Sequence, residues 1–155
     1  MKVYLDSTFV IRRLLGVGKC AEFWGKWEKA YASTLLRTEC FRTANLLRLE
    51  GKIDDAGRAR LGSWIETVCS AIVQIPVTDA VMRRAADTYP VAIGTLQAIH
   101  LATMQELDAV HGIKCALASD DAGLVQAAKA LGYAEAGDKP VAAAESADGK
   151  DGKAA

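Results

Sequence analysis

Near its beginning the chain reads Val3-Tyr4-Leu5-Asp6-Ser7-Thr8, and an apolar-rich stretch follows over residues 9–15. Three β-favouring residues, a polar tip and a helical stretch predict a strand, a turn and a helix. Similar units recur further along, because residues 71–75 and 113–118 are β-like and a helical pattern follows each of them. Short strands that alternate with helices predict an α/β fold, in which a parallel sheet is covered by helices on both faces.

Helical spacing of apolar residues also fills the segments between the strands. A strand end and helix cap are predicted at residues 31–34, and helices are predicted at residues 20–29, 35–49, 54–70, 78–86, 95–107 and 121–131. The first of these helices would carry Phe23, Trp24 and Trp27 on neighbouring turns. We expect the three aromatic side chains to pack in the core or a dimer interface, and a groove for a partner helix is the alternative.

Length and composition indicate a single globular domain. The chain has 155 residues, 51% of them apolar, and its 19 basic and 19 acidic residues leave no net charge. This balance excludes a nucleic-acid binder driven by a basic tail. No apolar run is long enough for a membrane span, no secretion signal is visible, and the four cysteines lack zinc or redox spacing, so we expect a cytoplasmic protein. The domain should cover residues 1–137, and the Ala-, Gly-, Asp- and Lys-rich segment 138–155 should be a disordered tail.

Acidic residues stand where the predicted strands end. Asp6 follows the first strand, Asp120 and Asp121 follow the strand at residues 113–118, and Glu39 lies about one turn into the helix that begins after residue 34. Parallel α/β sheets bind ligands beyond the carboxyl ends of their strands. Clustered carboxylates repel one another unless a cation is present, and Mg²⁺ or Mn²⁺ accepts carboxylate oxygens. The alternative is that each aspartate merely caps the helix that follows it.

Four segments together resemble the PIN-domain family, and in particular the VapC-type toxins. The resemblance spans about residues 1–134 in order and rests on residues 4–8 (YLDST), 32–39 (ASTLLRTE), 96–103 (LQAIHLAT) and 119–124 (SDDAGL). It implies a three-layer α/β/α fold with a five-stranded parallel sheet. It also implies a Mg²⁺- or Mn²⁺-dependent endoribonuclease, which forms a homodimer, cleaves RNA and is inhibited by an antitoxin of the VapB type.

The resemblance also assigns roles to individual residues. Asp6, Glu39 and Asp121 would be the catalytic, metal-binding carboxylates, and Ser7 and Ser119 would be hydroxyl partners of the site. The sequence departs from the family pattern at Gln97, where an acidic metal-site residue is expected. Glutamine can offer only a neutral carbonyl oxygen, which lowers the negative charge of the site.

Three explanations of Gln97 stay open, namely natural loss of activity, an engineered substitution, or relocation of the charge to Asp120. Asp120 and Gln97 are therefore additional candidates for the metal site. His100, three residues after Gln97, is expected to be a hydrogen-bonded helix residue rather than a ligand.

The sequence thus predicts a PIN-like endoribonuclease whose metal site is weakened. Arg37 and Arg42 flank Glu39 on one predicted helix and could contact RNA phosphates or an antitoxin carboxylate. The main alternative is a catalytically inactive PIN fold that binds RNA or an antitoxin-like protein. A third possibility is a small-molecule phosphatase with a flavodoxin-like topology, which would hydrolyse a generic phosphate ester and leave RNA intact.

Overall fold

The computed structural model describes residues 1–17 and 23–138, which form an α/β fold. Within these ranges the chain contains four strands and six helices. In chain order they are β1 (Lys2–Leu5), α1 (Ser7–Leu14), β2 (Lys29–Ser33), α2 (Leu35–Leu49), α3 (Asp55–Ala71), β3 (Val73–Ile75), α4 (Asp79–Ala85), α5 (Thr95–His111), β4 (Ala116–Ala118) and α6 (Ala122–Ala130). The alternation predicted from the sequence is confirmed, and no helix in these ranges has the length and apolar character needed to cross a membrane.

The four strands form one parallel sheet in the order β3-β2-β1-β4. Val3 of β1 is in register with Ala30 of β2 on one side and with Ala116 of β4 on the other. The two central strands β1 and β2 are almost completely buried, as expected where helices cover both faces of a parallel sheet. The carboxyl ends of β1 and β4 therefore lie side by side.

Alternate residues of the strands face two separate cores. Val3 and Leu5 pack with the apolar faces of α1, α2 and α3, whereas Tyr4 and Tyr31 pack on the opposite face with α5 and α6. The short helix α4 packs against α5, where Val81 contacts a small cluster around Ile99. Helices therefore cover both faces of the sheet, which is compatible with the predicted three-layer arrangement.

The prediction of five strands is wrong for the part of the chain that the structure describes. Beyond β4, a single parallel bridge joins Leu117 to Glu135, with the Leu117 amide donating to the Ala134 carbonyl at 2.8 Å and the Ala136 amide donating to the Leu117 carbonyl at 2.7 Å. The chain then turns at Gly137, whose φ of +96° is not an extended conformation. The pairing stops after one residue, so the fifth position holds a bridge and not a strand.

The predicted helix at residues 20–29 is wrong over residues 23–29, and its first three residues lie outside the described ranges. Residues 23–25 form a turn in which Gly25 has a φ of +75°, and β2 begins at Lys29. The aromatic side chains still pack in the core as expected, because Phe23 and Trp24 stack on Phe9 with ring centroids 5.3 and 5.6 Å away. The predicted tail lies outside the described residues from position 139 onward.

Candidate metal centre at the carboxyl edge of the sheet

A cleft of about 410 Å³ opens at the carboxyl edge of the sheet, and we call it the acidic cleft. Its walls come from the β1–α1 turn, α2, α5 and the start of α6. They consist of Asp6, Ser7, Thr8, Glu39, Gly94, Thr95, Leu96, Gln97, His100, Asp121 and Leu124. The sequence-predicted residues Asp6, Ser7, Glu39, Gln97 and Asp121 thus share one cleft, although they come from four separate segments of the chain.

Asp6 is buried at the bottom of this cleft, and its two carboxylate oxygens have different surroundings. Oδ2 accepts hydrogen bonds from the Thr8 amide at 3.2 Å, from the Thr8 hydroxyl, and from the Ser119 hydroxyl at 2.9 Å. Oδ1 instead faces His100, whose Nε2 lies 3.7 Å away. Asp6 therefore caps α1, as the alternative reading predicted, and also points one oxygen at the cleft.

The hydroxyl groups that donate to Asp6 come from two separate segments, helix α1 and the loop after β4. Ser119, one of the two expected hydroxyl residues, donates to Asp6 and accepts the Asp121 amide at 3.0 Å, so it links two candidate carboxylates. The partner from α1 is Thr8, while Ser7 lies in the cleft wall. Sequence reasoning missed Thr8, although a hydroxyl two residues after a capping aspartate is a recognisable signal.

Glu39 and Asp6 both lie close to the same ring nitrogen, Nε2 of His100. His100 Nε2 donates to Glu39 Oε2 at 2.9 Å, and only 2% of its side chain is exposed. Burial of the ring works to lower the pKa of His100, but the hydrogen bond to Glu39 and the negative charges of Asp6 and Glu39 outweigh it and raise the pKa. In the described part of the chain, the ion pairs of Asp6 and Glu39 are with His100 alone.

The other ring nitrogen of His100 is held by residues beneath the cleft. Nδ1 lies 3.0 Å from the hydroxyl of Tyr4, which also accepts the Ser33 amide at 3.1 Å. The Tyr4 side chain is completely buried, and this burial raises its pKa, so the hydroxyl stays protonated. His100 is thus a hydrogen-bonded helix residue, as expected from the sequence, but it also stands between two candidate metal ligands.

Gln97 forms a pair with Asp121 at the other end of the cleft. Its amide nitrogen donates to Asp121 Oδ2 at 2.7 Å, while its Oε1 accepts the Gly94 amide at 2.7 Å. Asp121 Oδ1 caps α6 by accepting the amides of Gly123 and Leu124 at 2.9 and 3.1 Å. Gln97 therefore gives Asp121 a hydrogen-bond donor at the place where the family pattern has a second carboxylate.

Asp120 faces a different cavity, although it is adjacent to Asp121 in sequence. Its carboxylate lies 3.2 Å from Arg12 Nε and lines a cavity of about 530 Å³ between α1, α6 and residues 135–137. The walls of the acidic cleft do not include Asp120. The arrangement gives no support to the idea that Asp120 replaces the charge missing at Gln97, because Asp120 pairs with Arg12 and lines a different cavity.

The two arginines that flank Glu39 differ in their contacts. Arg37 pairs with Glu66 of α3 and lies over the ring of Phe41 at 4.8 Å, so it is directed at the neighbouring helix. Arg42 is exposed, and in residues 1–17 and 23–138 no ion pair engages it. Since Arg42 lies three residues after Glu39, both side chains lie on one side of α2. Arg42 is therefore the better placed of the two for an incoming anion.

The donor atoms at the bottom of the acidic cleft fit a divalent cation. One oxygen of Asp6, one oxygen of Glu39 and a ring nitrogen of His100 all lie within 4.8 Å of one another. Cis ligands about 2.1 Å from an ion are about 3.0 to 3.4 Å apart, which is close to the 2.9 and 3.7 Å measured from Nε2 to the two oxygens. The three donor atoms can hold a divalent cation, and the two carboxylates would balance its positive charge.

Comparison with known proteins adds no assignment for this chain. No protein-family model matches the sequence, and no curated protein matches it.

Proposed function

We propose that this protein is a metal-dependent endoribonuclease of the PIN-domain, VapC toxin type. The observation that carries the proposal is the convergence of Asp6, Glu39 and Asp121 on one cleft at the carboxyl ends of β1 and β4. Asp6 and Glu39 both face His100 Nε2, and two carboxylates held that close repel one another unless a positive charge lies between them. Their position also agrees with the general placement of ligand sites in parallel α/β sheets.

Mg²⁺ or Mn²⁺ is the cofactor expected for this proposal, with Asp6 and Glu39 as its principal protein ligands. Such an ion supplies phosphodiester hydrolysis with a Lewis acid, which polarises the phosphate and lowers the pKa of water. The chain itself contributes the fixed orientation of Asp6, through the hydroxyls of Thr8 and Ser119. Arg42 supplies exposed positive charge on α2 that RNA phosphates could contact.

Cleavage of RNA by the full chain tests this proposal directly. We expect cleavage of a mixed single-stranded RNA in the presence of Mn²⁺, loss of cleavage with EDTA, and a fall of at least about a hundredfold for Asp6→Asn. Asp55→Asn is the matched control, because Asp55 is an exposed carboxylate on α3 that pairs only with Arg48 among the described residues. Cleavage that survives EDTA or Asp6→Asn would refute the assignment.

The second candidate is an inactive PIN fold that binds RNA or an antitoxin-like protein. The contact between Gln97 and Asp121 favours it, because an amide donor satisfies a carboxylate that would otherwise be free for a cation. This candidate predicts RNA or protein binding that is insensitive to EDTA and is unaccompanied by cleavage. Gel-shift titrations run in parallel with the cleavage assay would separate the two functions.

The partners implied by the resemblance belong to the same proposal. We propose an RNA substrate, a homodimer and an antitoxin of the VapB type as partners. Exposed apolar side chains on α2 and α3 support contacts with another protein, with Leu46, Leu49 and Trp64 exposed by 53, 68 and 49%. Light scattering at several concentrations tests the dimer, and a mass of one chain throughout would exclude it.

A further inference from the structure

His100 belongs to the matched segment at residues 96–103, but the resemblance assigns it no role in the acidic cleft. The ring is buried between two carboxylates, and its Nε2 is directed at Glu39 Oε2 and Asp6 Oδ1 at 2.9 and 3.7 Å. The shorter distance is a hydrogen bond to Glu39, and both distances are close to the spacing of neighbouring ligands around a small divalent ion. Whether the nitrogen can act as a ligand depends on which ring nitrogen carries the remaining proton.

Binding of a cation through Nε2 requires the remaining ring proton on Nδ1, and a residue beneath the cleft can accept it there. The hydroxyl oxygen of Tyr4 lies 3.0 Å from Nδ1 and accepts the Ser33 amide at 3.1 Å. A hydroxyl oxygen has two acceptor lone pairs, so one of them is left for Nδ1–H of His100.

This arrangement is the one that protein metal sites use to orient a histidine ligand. A ligating histidine donates its other ring N–H to a fixed acceptor, which sets the tautomer and the ring orientation. Tyr4 is that acceptor here, and it is completely buried and held by β2 and α5. Nε2 is consequently the nitrogen that faces the cleft, and it can offer a lone pair once its own proton is displaced.

Asp6 and Glu39 each direct one carboxylate oxygen at His100 Nε2. Asp6 uses Oδ2 for three protein donors and leaves Oδ1 beside His100, so it can bind through one oxygen. Glu39 places Oε2 at the same nitrogen. Asp121 is different, because three donors already occupy its two oxygens and one of them is the amide of Gln97.

We propose that the cation site of this chain consists of Asp6 Oδ1, Glu39 Oε2 and His100 Nε2, and that it selects a transition ion such as Mn²⁺ over Mg²⁺. The inference rests on the proposed function for the location of the metal, but it changes the ligand set and the preferred ion. Mg²⁺ strongly prefers oxygen ligands and water, whereas imidazole nitrogen suits the first-row transition ions. Asp121, paired with Gln97, stays outside this ligand set.

Binding of Mn²⁺ to the full-length protein without RNA tests the inference. We expect one bound ion per chain in an electron paramagnetic resonance titration, and modulation from a directly coupled ¹⁴N nucleus in the pulsed spectrum. Incorporation of ¹⁵N-histidine should replace that ¹⁴N signal with a ¹⁵N signal. Mg²⁺ should displace Mn²⁺ only at an excess of at least about a hundredfold.

The sequence offers a matched pair of variants, because its two histidines lie on the same helix. His100→Gln should remove the nitrogen signal and weaken Mn²⁺ binding by at least about tenfold. His111→Gln, at the exposed end of α5, should change neither. If His100→Gln fails to fold, the isotope experiment on the unmutated protein still decides the question.

The possible outcomes separate this inference from the proposed function. Bound Mn²⁺ without a histidine nitrogen signal, or displacement by equimolar Mg²⁺, would overturn the ligand set and leave the ribonuclease proposal standing. A histidine signal without any RNA cleavage would support the ligand set and overturn the ribonuclease. Absence of Mn²⁺ binding would overturn the ligand set and the metal dependence together.

Discussion

Replacement of Gln97 by aspartate restores the residue type expected from the family pattern. It also replaces the hydrogen bond between residue 97 and Asp121 with repulsion between two carboxylates. Gln97 now donates to Asp121 Oδ2 at 2.7 Å and is oriented by the Gly94 amide. An aspartate cannot donate when it is ionised, so two carboxylates would face each other at the mouth of the acidic cleft. Gln97→Asp should therefore destabilise the metal-free protein and strengthen its response to a cation.

The size of the effect follows from two losses. A hydrogen bond to a charged group contributes about 1.5 to 3 kcal/mol. Two carboxylates about 5 Å apart in partly exposed surroundings repel by up to about 3 kcal/mol, and rotation of the aspartate toward water relieves much of this. We expect Gln97→Asp to lower the free energy of unfolding in EDTA by about 2 to 4 kcal/mol.

Saturating Mn²⁺ should reverse most of this loss. An ion at a hundred times its dissociation constant stabilises the folded state by about 2.7 kcal/mol, and tenfold tighter binding adds about 1.4 kcal/mol. Urea unfolding followed by circular dichroism, with EDTA and with Mn²⁺, measures both quantities. Gln97→Asp should also increase Mn²⁺ affinity in calorimetry and the rate of RNA cleavage.

Gln97→Ala is the control, since it removes the amide without adding a charge. It should lose about 1 to 3 kcal/mol in EDTA, and Mn²⁺ should stabilise it no more than the unmutated protein. The reasoning fails if Gln97→Asp is as stable as the unmutated protein in EDTA. It also fails if Mn²⁺ stabilises the aspartate and alanine variants equally.

Three further predictions concern the groups around Asp6 and His100. Ser119→Ala removes one of the three hydrogen bonds to Asp6 and takes the Ser119 hydroxyl away from the Asp121 amide, so the free energy of unfolding should fall by about 1 to 3 kcal/mol in urea titrations. Ser70→Ala, at an exposed position of α3, should change it by under about 0.5 kcal/mol. In EDTA, the raised pKa of His100 should stabilise the folded protein at low pH. This stabilisation is fully present below the ordinary histidine pKa of about 6.5 and is lost as the pH rises through the higher pKa of the folded state. Urea unfolding at several pH values measures it, and a free energy of unfolding that does not change across this pH range would contradict the raised pKa. Tyr4→Phe removes the acceptor of His100 Nδ1–H, so it should weaken Mn²⁺ binding by about ten- to a hundredfold in calorimetry, and unchanged affinity would show that the ring is oriented by other contacts.

The alternation of strands and helices was predictable because it depends on local periodicity. The strand–turn–helix pattern around Asp6 and the helix at residues 35–49 are confirmed. The helix expected near residue 25 was wrong, because a glycine with a positive φ and the pairing of Lys29–Ser33 with β1 outweighed the helical spacing of the aromatic residues. The fifth strand, which the family resemblance implied, was also wrong, because the pairing with β4 stops at one bridge and the chain turns at Gly137.

By itself the sequence determined that carboxylates would follow the strands of a parallel sheet, and it marked Gln97 as the exception. Only the tertiary structure decided how these residues are paired. It joined Gln97 to Asp121, turned Asp120 toward Arg12, and placed His100 between Asp6 and Glu39. Local periodicity indicates which face of an element is apolar, whereas the partner of a polar side chain depends on contacts between segments as many as 113 positions apart along the chain.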